Sequence, residues 1–439
     1  MVIHQAARAA AKRGTASVAM ALIAALASLV NAAEAPLSLA AAQRQAVARS
    51  RQLTAQDAAV TAAREMAVAA GQLPDPVLKF GVDNLPVDTS DRFSFTRDFM
   101  TMRKVGVMQE FTRLEKRQAR AERSEREADK ALAEKTVTMA NIQRDTALAW
   151  LDRYYAEQMA AVVAEQRAQA KLEIEAAEGA YRAGRGGQAD IIAARSALVG
   201  LDDRASELGR RARAAKIALT RWIGDAADAP LAGKPVIDII RLDPRRLDTE
   251  VAHHPAIAVL TRQEEIAAAD VSVAQANKKT DWSAELMYAQ RGPAFSNMIS
   301  LAVSVPLQWD QPNRQNRELA AKLAMLDQAR AQREDMLRAH IAEARAMITE
   351  WENGRERRLR YERELLPLTR ERTQVTLAAY RGGKATLVDV LTARRSEIEV
   401  SMQALQLEMD TARLWAQLNF LFPDADAAAQ GPHSTQDRP

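Results

Sequence analysis

The sequence predicts a mainly helical chain with a β contribution, organised as two repeats of helix, β-hairpin and long helical hairpin. Three observations predict it. Residues 180–195 read AYRAGRGGQADIIAAR and residues 379–394 read AYRGGKATLVDVLTAR, and the two align without a gap. Each phrase ends a helical stretch whose ~65 residues, at ~1.5 Å rise each, make a rod of roughly 100 Å. Aromatic residues are only 5% and glycines only 17 of 439, a balance that favours long helices over an α/β enzyme.

The elements follow in chain order. Lys12 and Arg13 precede an apolar run at 16–30, then Asn31-Ala32-Ala33-Glu34-Ala35. A basic start, a short apolar run and small residues predict a secretory signal over 1–35, cut between Ala32 and Ala35. The chain has no cysteine, so neither disulfides nor a lipidated cysteine are expected. No later segment reaches the ~18 apolar residues of a spanning helix. The net charge of +4 is spread among interspersed charges, which read as solvated helix faces and not as a nucleic-acid surface.

The first repeat is expected over 36–224. A helical stretch at 37–71 ends in Leu73-Pro74-Asp75-Pro76. Strands at 77–84 and 100–111 flank a loop with Asp88, Asp91 and Asp98. That loop either gathers cations or is acidic for solubility. The long helix over 115–180 contains no proline and carries Leu148, Leu151, Tyr155, Met159 and Val162 on one stripe. Glycines 184, 186 and 187 allow a reversal, and a second helix returns to Trp222-Ile223-Gly224. A connector with Pro230, Pro235 and Pro244 spans 225–252.

The second repeat, 253–423, uses the same order. A helix runs over 253–278 and ends at Lys279-Thr280-Asp281. His253-His254-Pro255 opens it, and two adjacent helical histidines point about 100° apart, so they make a poor joint metal site. Strands follow at 282–290 and 297–309. In the last, Ile299, Leu301, Val303, Val305, Leu307 and Trp309 share one face, and Ser300, Ala302, Ser304 and Pro306 the other. The long helix at 317–379 places Leu337, Ile341, Ala344, Ile348 and Trp351 on a stripe, with a kink expected at Pro367. Its partner returns to 418–422, and the polar tail over 424–439 is expected to be disordered.

A strand of ~10 residues tilted by ~45° crosses a bilayer, and the uncharged apolar face fits lipid. The same pattern also fits a small soluble sheet packed on helices. If the strands span, four cannot close a barrel, and an open edge cannot stand in lipid. Two copies are then the minimum, and three give twelve strands.

The chain resembles the TolC family of outer-membrane efflux channels, and is most similar to its CusC/CzcC-type branch, which serves heavy-metal pumps. The resemblance is carried by Tyr-x-x-Gly-x(5)-Asp in both halves, by Val105-Gly106-Val107-Met108-Gln109, and by its echo Leu301-Ala302-Val303-Ser304-Val305-Pro306-Leu307. It implies a homotrimer with a twelve-stranded barrel in the outer membrane and a periplasmic α-barrel. The partners it implies are outer-membrane lipid, a periplasmic adaptor (membrane fusion) protein and an inner-membrane pump of the resistance-nodulation-division class. It implies a periplasmic gate at Asp190, Tyr380 and Asp389. An adaptor-facing tip follows at Tyr181, Arg182, Gly184, Arg381, Gly383 and Lys384. Two positions depart from the family pattern: Ala385 replaces an arginine and Thr392 a second aperture aspartate.

Each tip residue has a plainer reading beside this one. Asp190 and Asp389 lie where an acid caps a helix start. Tyr181 and Tyr380 fit packing across their own hairpins, and Arg182 and Arg381 fit simple solvation. Met100, Met102, Met108, Met287 and Met298 are expected on the face opposite the apolar one, where thioethers suit Cu(I) and Ag(I). The plainer reading is that methionine fills irregular space.

No catalytic residue and no cofactor is expected. The chain has no glycine-rich phosphate loop, no His-Glu-x-x-His and no placeable Ser-His-Asp cluster. The expected function is an exit duct for heavy-metal cations. A duct for organic compounds and drugs is the alternative. A periplasmic adaptor is a further one, although it would carry one helical hairpin rather than two.

Overall fold

The structure, a computed structural model, describes residues 36–424. The predicted leader, and all of the predicted tail except Asp424, lie outside the described residues. The chain is mostly helical with one small antiparallel sheet.

Helix α1 (Leu39–Arg49) and helix α2 (Arg51–Ala70) replace the single stretch expected at 37–71. The break falls at Ser50, whose hydroxyl accepts the Leu53 N–H and restarts the helix. Strands β1 (Val77–Asp83) and β2 (Met102–Phe111) follow. Helix α3 (Leu114–Arg182) runs 69 residues, and α4 (Gln188–Ile223) returns along it. After the connector come α5 (Leu247–Ala252) and α6 (Pro255–Asn277). The sequence reading started one helix at 253, but His254 caps α6 and Pro255 occupies its first turn, so the chain breaks there.

Strand β3 (Trp282–Gln290) has the expected bounds, while β4 (Met298–Ser304) is shorter than the expected 297–309. Pro306 has no N–H to give a ladder, which accounts for the early end. Helix α7 (Gln315–Arg360) passes through a π-turn (Tyr361–Leu365) into α8 (Leu366–Arg381). Pro367 sits just past that π-turn and has no N–H to give, so the ladder widens one turn before it. Helix α9 (Leu387–Asn419) returns.

The two hairpins join into one sheet of order β1-β2-β3-β4, because β2 also pairs with β3. Its register places Leu78, Val107, Leu286 and Leu301 in one row, and Phe80, Val105, Tyr288 and Ile299 in the next. This face is bare: Phe80 is 78% exposed, Leu301 74% and Ile299 76%. The opposite face is polar, with Lys79 paired to Glu285 at 2.6 Å and Lys104 to Asp83. Strands β1 and β4 are the two edges.

The core lies away from the sheet, where the connector wraps the long helices. Trp150, Leu151, Tyr155, Leu219, Ile223 and Ala416 form its main cluster. Ala344, Ile348, Trp351 and Leu418 form a second. The second stripe faces the second cluster and Leu148, Leu151 and Tyr155 of the first stripe face the main one, while Met159 joins a further cluster with Leu208, where Val163 takes the buried place assigned to Val162.

Three indoles fasten the wrapping chain. Trp150 Nε1 donates to the Leu37 carbonyl at 3.0 Å, Trp351 Nε1 to Ile237 at 3.1 Å, and Trp415 Nε1 to Ile239 at 2.8 Å. Buried Arg153 adds bonds to the carbonyls of Ala227 and Ala229. The first two bonds are one device used twice, since Trp150 and Trp351 hold matching places on their long helices.

Candidate functional site

The far end of the rods is built by two matched turns. In the first, Arg185 N–H donates to the Ala180 carbonyl at 2.9 Å and Gly184 N–H to Tyr181 at 3.0 Å. In the second, Lys384 N–H donates to Ala379 at 2.8 Å and Gly383 N–H to Tyr380 at 3.0 Å. This double closure needs a left-handed residue, and Gly184 (φ 69°) and Gly383 (φ 70°) supply it.

Both acids that recur in the repeat have local work. Asp190 Oδ2 accepts the Gly187 N–H at 2.9 Å. Asp389 Oδ2 accepts the Thr386 N–H at 2.9 Å and its hydroxyl at 2.7 Å, while the Thr386 hydroxyl accepts the Asp389 N–H at 3.2 Å. The sequence reading placed Asp389 at a helix start but did not name Thr386, which the Thr-x-x-Asp spacing supplies. The Thr386 hydroxyl and N–H hold the Asp389 carboxyl below its usual range. Among the described residues no hydrogen bond joins Asp190 to Tyr380.

The two tyrosines differ. Tyr181 is exposed, whereas Tyr380 packs with Ala177, Ala194, Leu387 and Val390 in a cluster shared by both hairpins. The repeated arginines differ too. Arg195 pairs with Glu178 of its own hairpin at 2.7 Å, but Arg394 reaches Glu173 of the other hairpin at 3.0 Å. Sequence reasoning missed both glutamates, because nothing in a repeat says which hairpin supplies the partner. Arg182, Arg381 and Lys384 are exposed. Ala385 is half-buried, and the Thr392 hydroxyl donates to the Val388 carbonyl of its own helix at 2.8 Å.

On the sheet, Met102, Met108, Met287 and Met298 all fall on the polar face by register. Met108 lies opposite Glu285, and Met287 lies between Gly106 and Ser300. A Cβ on Gly106 would stand 2.7 Å from the Leu286 carbonyl, so this glycine lets β2 and β3 close beside Met287. Met100 lies outside β2, in the loop, where its N–H donates to Asp98 at 2.7 Å. In the same loop Asp91 pairs with Arg97 at 3.6 Å.

His253 and His254 part company because one ends α5 and the other caps α6, and not, as the sequence reading had it, as neighbours on one helix. His253 Nδ1 lies 2.8 Å from the Thr249 carbonyl, whereas the His254 ring meets His340 of α7 at 5.0 Å between centroids. Burial first, then His340 and Arg144, push His254 down to about 4. Among the described residues no group of three or more His, Cys, Asp or Glu forms a cation site.

No protein-family model matches the chain, and no curated protein matches it in sequence. Solved structures do match it. The outer-membrane channel OprN superposes with a TM-score of 0.74 at 18% identity, covering 88% of this chain and 90% of that one. The outer membrane protein VceC of Vibrio cholerae gives 0.69 at 18% identity, over 87% and 95%. CusC, described in terms of folding and transmembrane channel formation, gives 0.73 at 13% identity, over 88% and 92%. The chain has the fold of these outer-membrane channels.

Proposed function

We propose that this chain is the outer-membrane exit duct of a tripartite efflux system, working as a homotrimer with a periplasmic adaptor and an inner-membrane pump of the resistance-nodulation-division class. One observation carries the reading. The sheet exposes a continuous apolar face and two open edges, and it tops rods of channel length. Lipid accepts such a face, and only closure with further copies satisfies the edges. The polar face then lines the lumen, and the matched turns face the adaptor and carry the gate at Asp190, Tyr380 and Asp389. No reaction is catalysed, and the pump supplies the energy.

The cargo we propose is heavy-metal cations, in keeping with the CusC/CzcC-type resemblance. The support within the chain is the polar face, where Met102, Met108, Met287 and Met298 offer soft thioethers. Thr392 favours the second reading, organic compounds and drugs. It puts a hydroxyl that is spent on its own helix where the family has an acid.

Growth of a deletion strain, with and without the gene, separates these cargoes across Cu, Ag, Zn, Co, Cd and a set of hydrophobic drugs. Sensitivity confined to Cu and Ag supports a soft-metal exporter, and replacing all five methionines by Leu then lowers tolerance. Sensitivity to Zn, Co and Cd keeps the metal and discards the thioethers. Sensitivity to drugs alone sinks the metal reading.

A further inference from the structure

A cavity of about 260 Å³ lies between α3, α6, α7 and the end of α9, away from both the turns and the sheet. Part of its wall is apolar, with Val251, Ala344, Met347, Phe420 and Leu421. The polar part holds Asn141, Arg144, His254, His340 and Gln417. Polar side chains gathered in this way are ordinarily bonded to one another. Here they are not. Arg144 reaches Asp145 Oδ1, its neighbour in the chain, through Nε and one Nη, and leaves the other Nη unused. Among the described residues the side chains of Asn141 and Gln417 make no hydrogen bond. The His254 ring is committed at one nitrogen alone. Its Nδ1 accepts the Ala256 N–H at 3.2 Å, so the neutral ring carries its proton on Nε2. Burial keeps that ring neutral near pH 7. Nε2 is therefore a donor, and among the described residues it has no acceptor. The carboxylate that lines the cavity, Glu343, is exposed and lies 3.8 Å from His340 Nδ1.

We infer that this cavity binds a small organic anion with an apolar body, of the class of aryl acids. The inference goes beyond the duct reading and does not rest on it. The unused donors and the fixed charge of Arg144 select an anion. The apolar wall selects the body. A dry cavity of ~150 Å³ accepts benzene, so this larger one has room for a ring and its acid group. A metal cation fits less well. The His254 lone pair is spent on the cap of α6, and the other ring nitrogen carries a proton.

The test is calorimetric titration of the full chain, in an uncharged detergent, with benzenesulfonate and with benzenesulfonamide, its neutral isostere. Benzenesulfonate is expected to bind at least ~10-fold tighter than the sulfonamide. Arg144→Gln removes the fixed charge and is expected to weaken the sulfonate by about 10-fold. His254→Asn keeps a cap acceptor but withdraws the ring N–H from the cavity, and is expected to weaken it by about 3–10-fold. Circular dichroism should show unchanged helicity in both variants. The comparison of the two compounds needs no variant, so it stands on the parent chain alone. Equal binding of the two overturns the inference, as does the absence of binding by either. Sulfonate binding that neither variant weakens places the anion elsewhere on the chain and overturns it too. Zinc ion that binds through His254 while the sulfonate does not overturns it in favour of a cation.

Discussion

Gly383 and Gly382 are neighbours in one turn, and only one of them needs to be glycine. Gly383 has φ 70°, whereas Gly382 follows α8 at φ −84° and ψ 4°, with a negative φ open to any L-residue, and a Cβ there meets nothing nearer than 3.6 Å. An L-residue at a left-handed position costs about 1–2 kcal/mol. Gly383→Ala is therefore expected to speed amide exchange across the 381–387 turn by about 5–30-fold, and Gly382→Ala to leave it unchanged. Equal exchange in the two variants would remove the argument. At the other end of the molecule, His254 makes a pH prediction. Its Nδ1 accepts the Ala256 N–H at 3.2 Å, which caps α6. Burial lowers its folded value to about 4, against ~6.5 for a free histidine. Between those values the unfolded chain binds the extra proton, so stability falls as pH drops from ~6.5 to ~4 and levels off below. Arg144 of α3 and His340 and Glu343 of α7 line the same pocket. His254→Asn keeps a cap acceptor and removes the proton. Thermal midpoints across this window should therefore fall less in the variant than in the parent. Parallel curves would show that His254 does not carry the dependence.

At the scale of elements, the wrapping connector is held by bonds that differ in redundancy. The Leu37 carbonyl accepts both Trp150 and the Ala232 N–H, whereas among the described residues the buried Ile237 carbonyl has Trp351 alone. Both changes to Phe remove the same bulk. Trp351→Phe should cost more than Trp150→Phe by about 1–3 kcal/mol, the penalty of an unpaired buried acceptor, as read by denaturant unfolding. Equal costs would mean that packing, not the bond, fastens the strap. The strap also marks where sequence reading stopped. Helix stripes at spacings of three and four were legible, because each long helix buries a continuous face of its own. Strand β3 was legible to its ends, since Asp281 and Gln290 bound a clean alternation. The break at Ser50 was not, because the capping hydroxyl sits inside an unbroken helical composition. Nor was the β2–β3 pairing, which joins residues nearly two hundred positions apart and follows from no local pattern. At the turns, glycines and acids announced themselves by recurring. Glu173 and Glu178 did not, because their roles depend on how two hairpins pack.

At the scale of the whole molecule, the sheet and the rods make opposite demands. The rods bury their stripes within the chain, with Trp150, Tyr155 and Ile223 at 1% exposure or less. The sheet buries almost nothing: its apolar face is open, and its edge strands β1 and β4 each offer a row of unpaired backbone groups. On the proposed duct reading such a chain is one subunit of several, and copies that join edge to edge close a ring only at a fixed number. The chain's lack of cysteine makes this directly testable. In one copy the two edges are three strand spacings apart, roughly 14 Å, and a disulfide spans no more than ~7 Å between Cα atoms. A bridge from β1 to β4 must therefore join different copies. Ser300→Cys on β4 is combined in turn with Val77→Cys, Lys79→Cys and Gly81→Cys on β1, all on the polar face. At least one pair should cross-link on oxidation in isolated membranes. Closure at three copies requires a ladder that stops at three. A ladder that continues past three would mean a larger ring or an open ribbon. Failure of all three pairs would mean that the edges are covered by something other than this chain, and the lipid-facing barrel would fall with them.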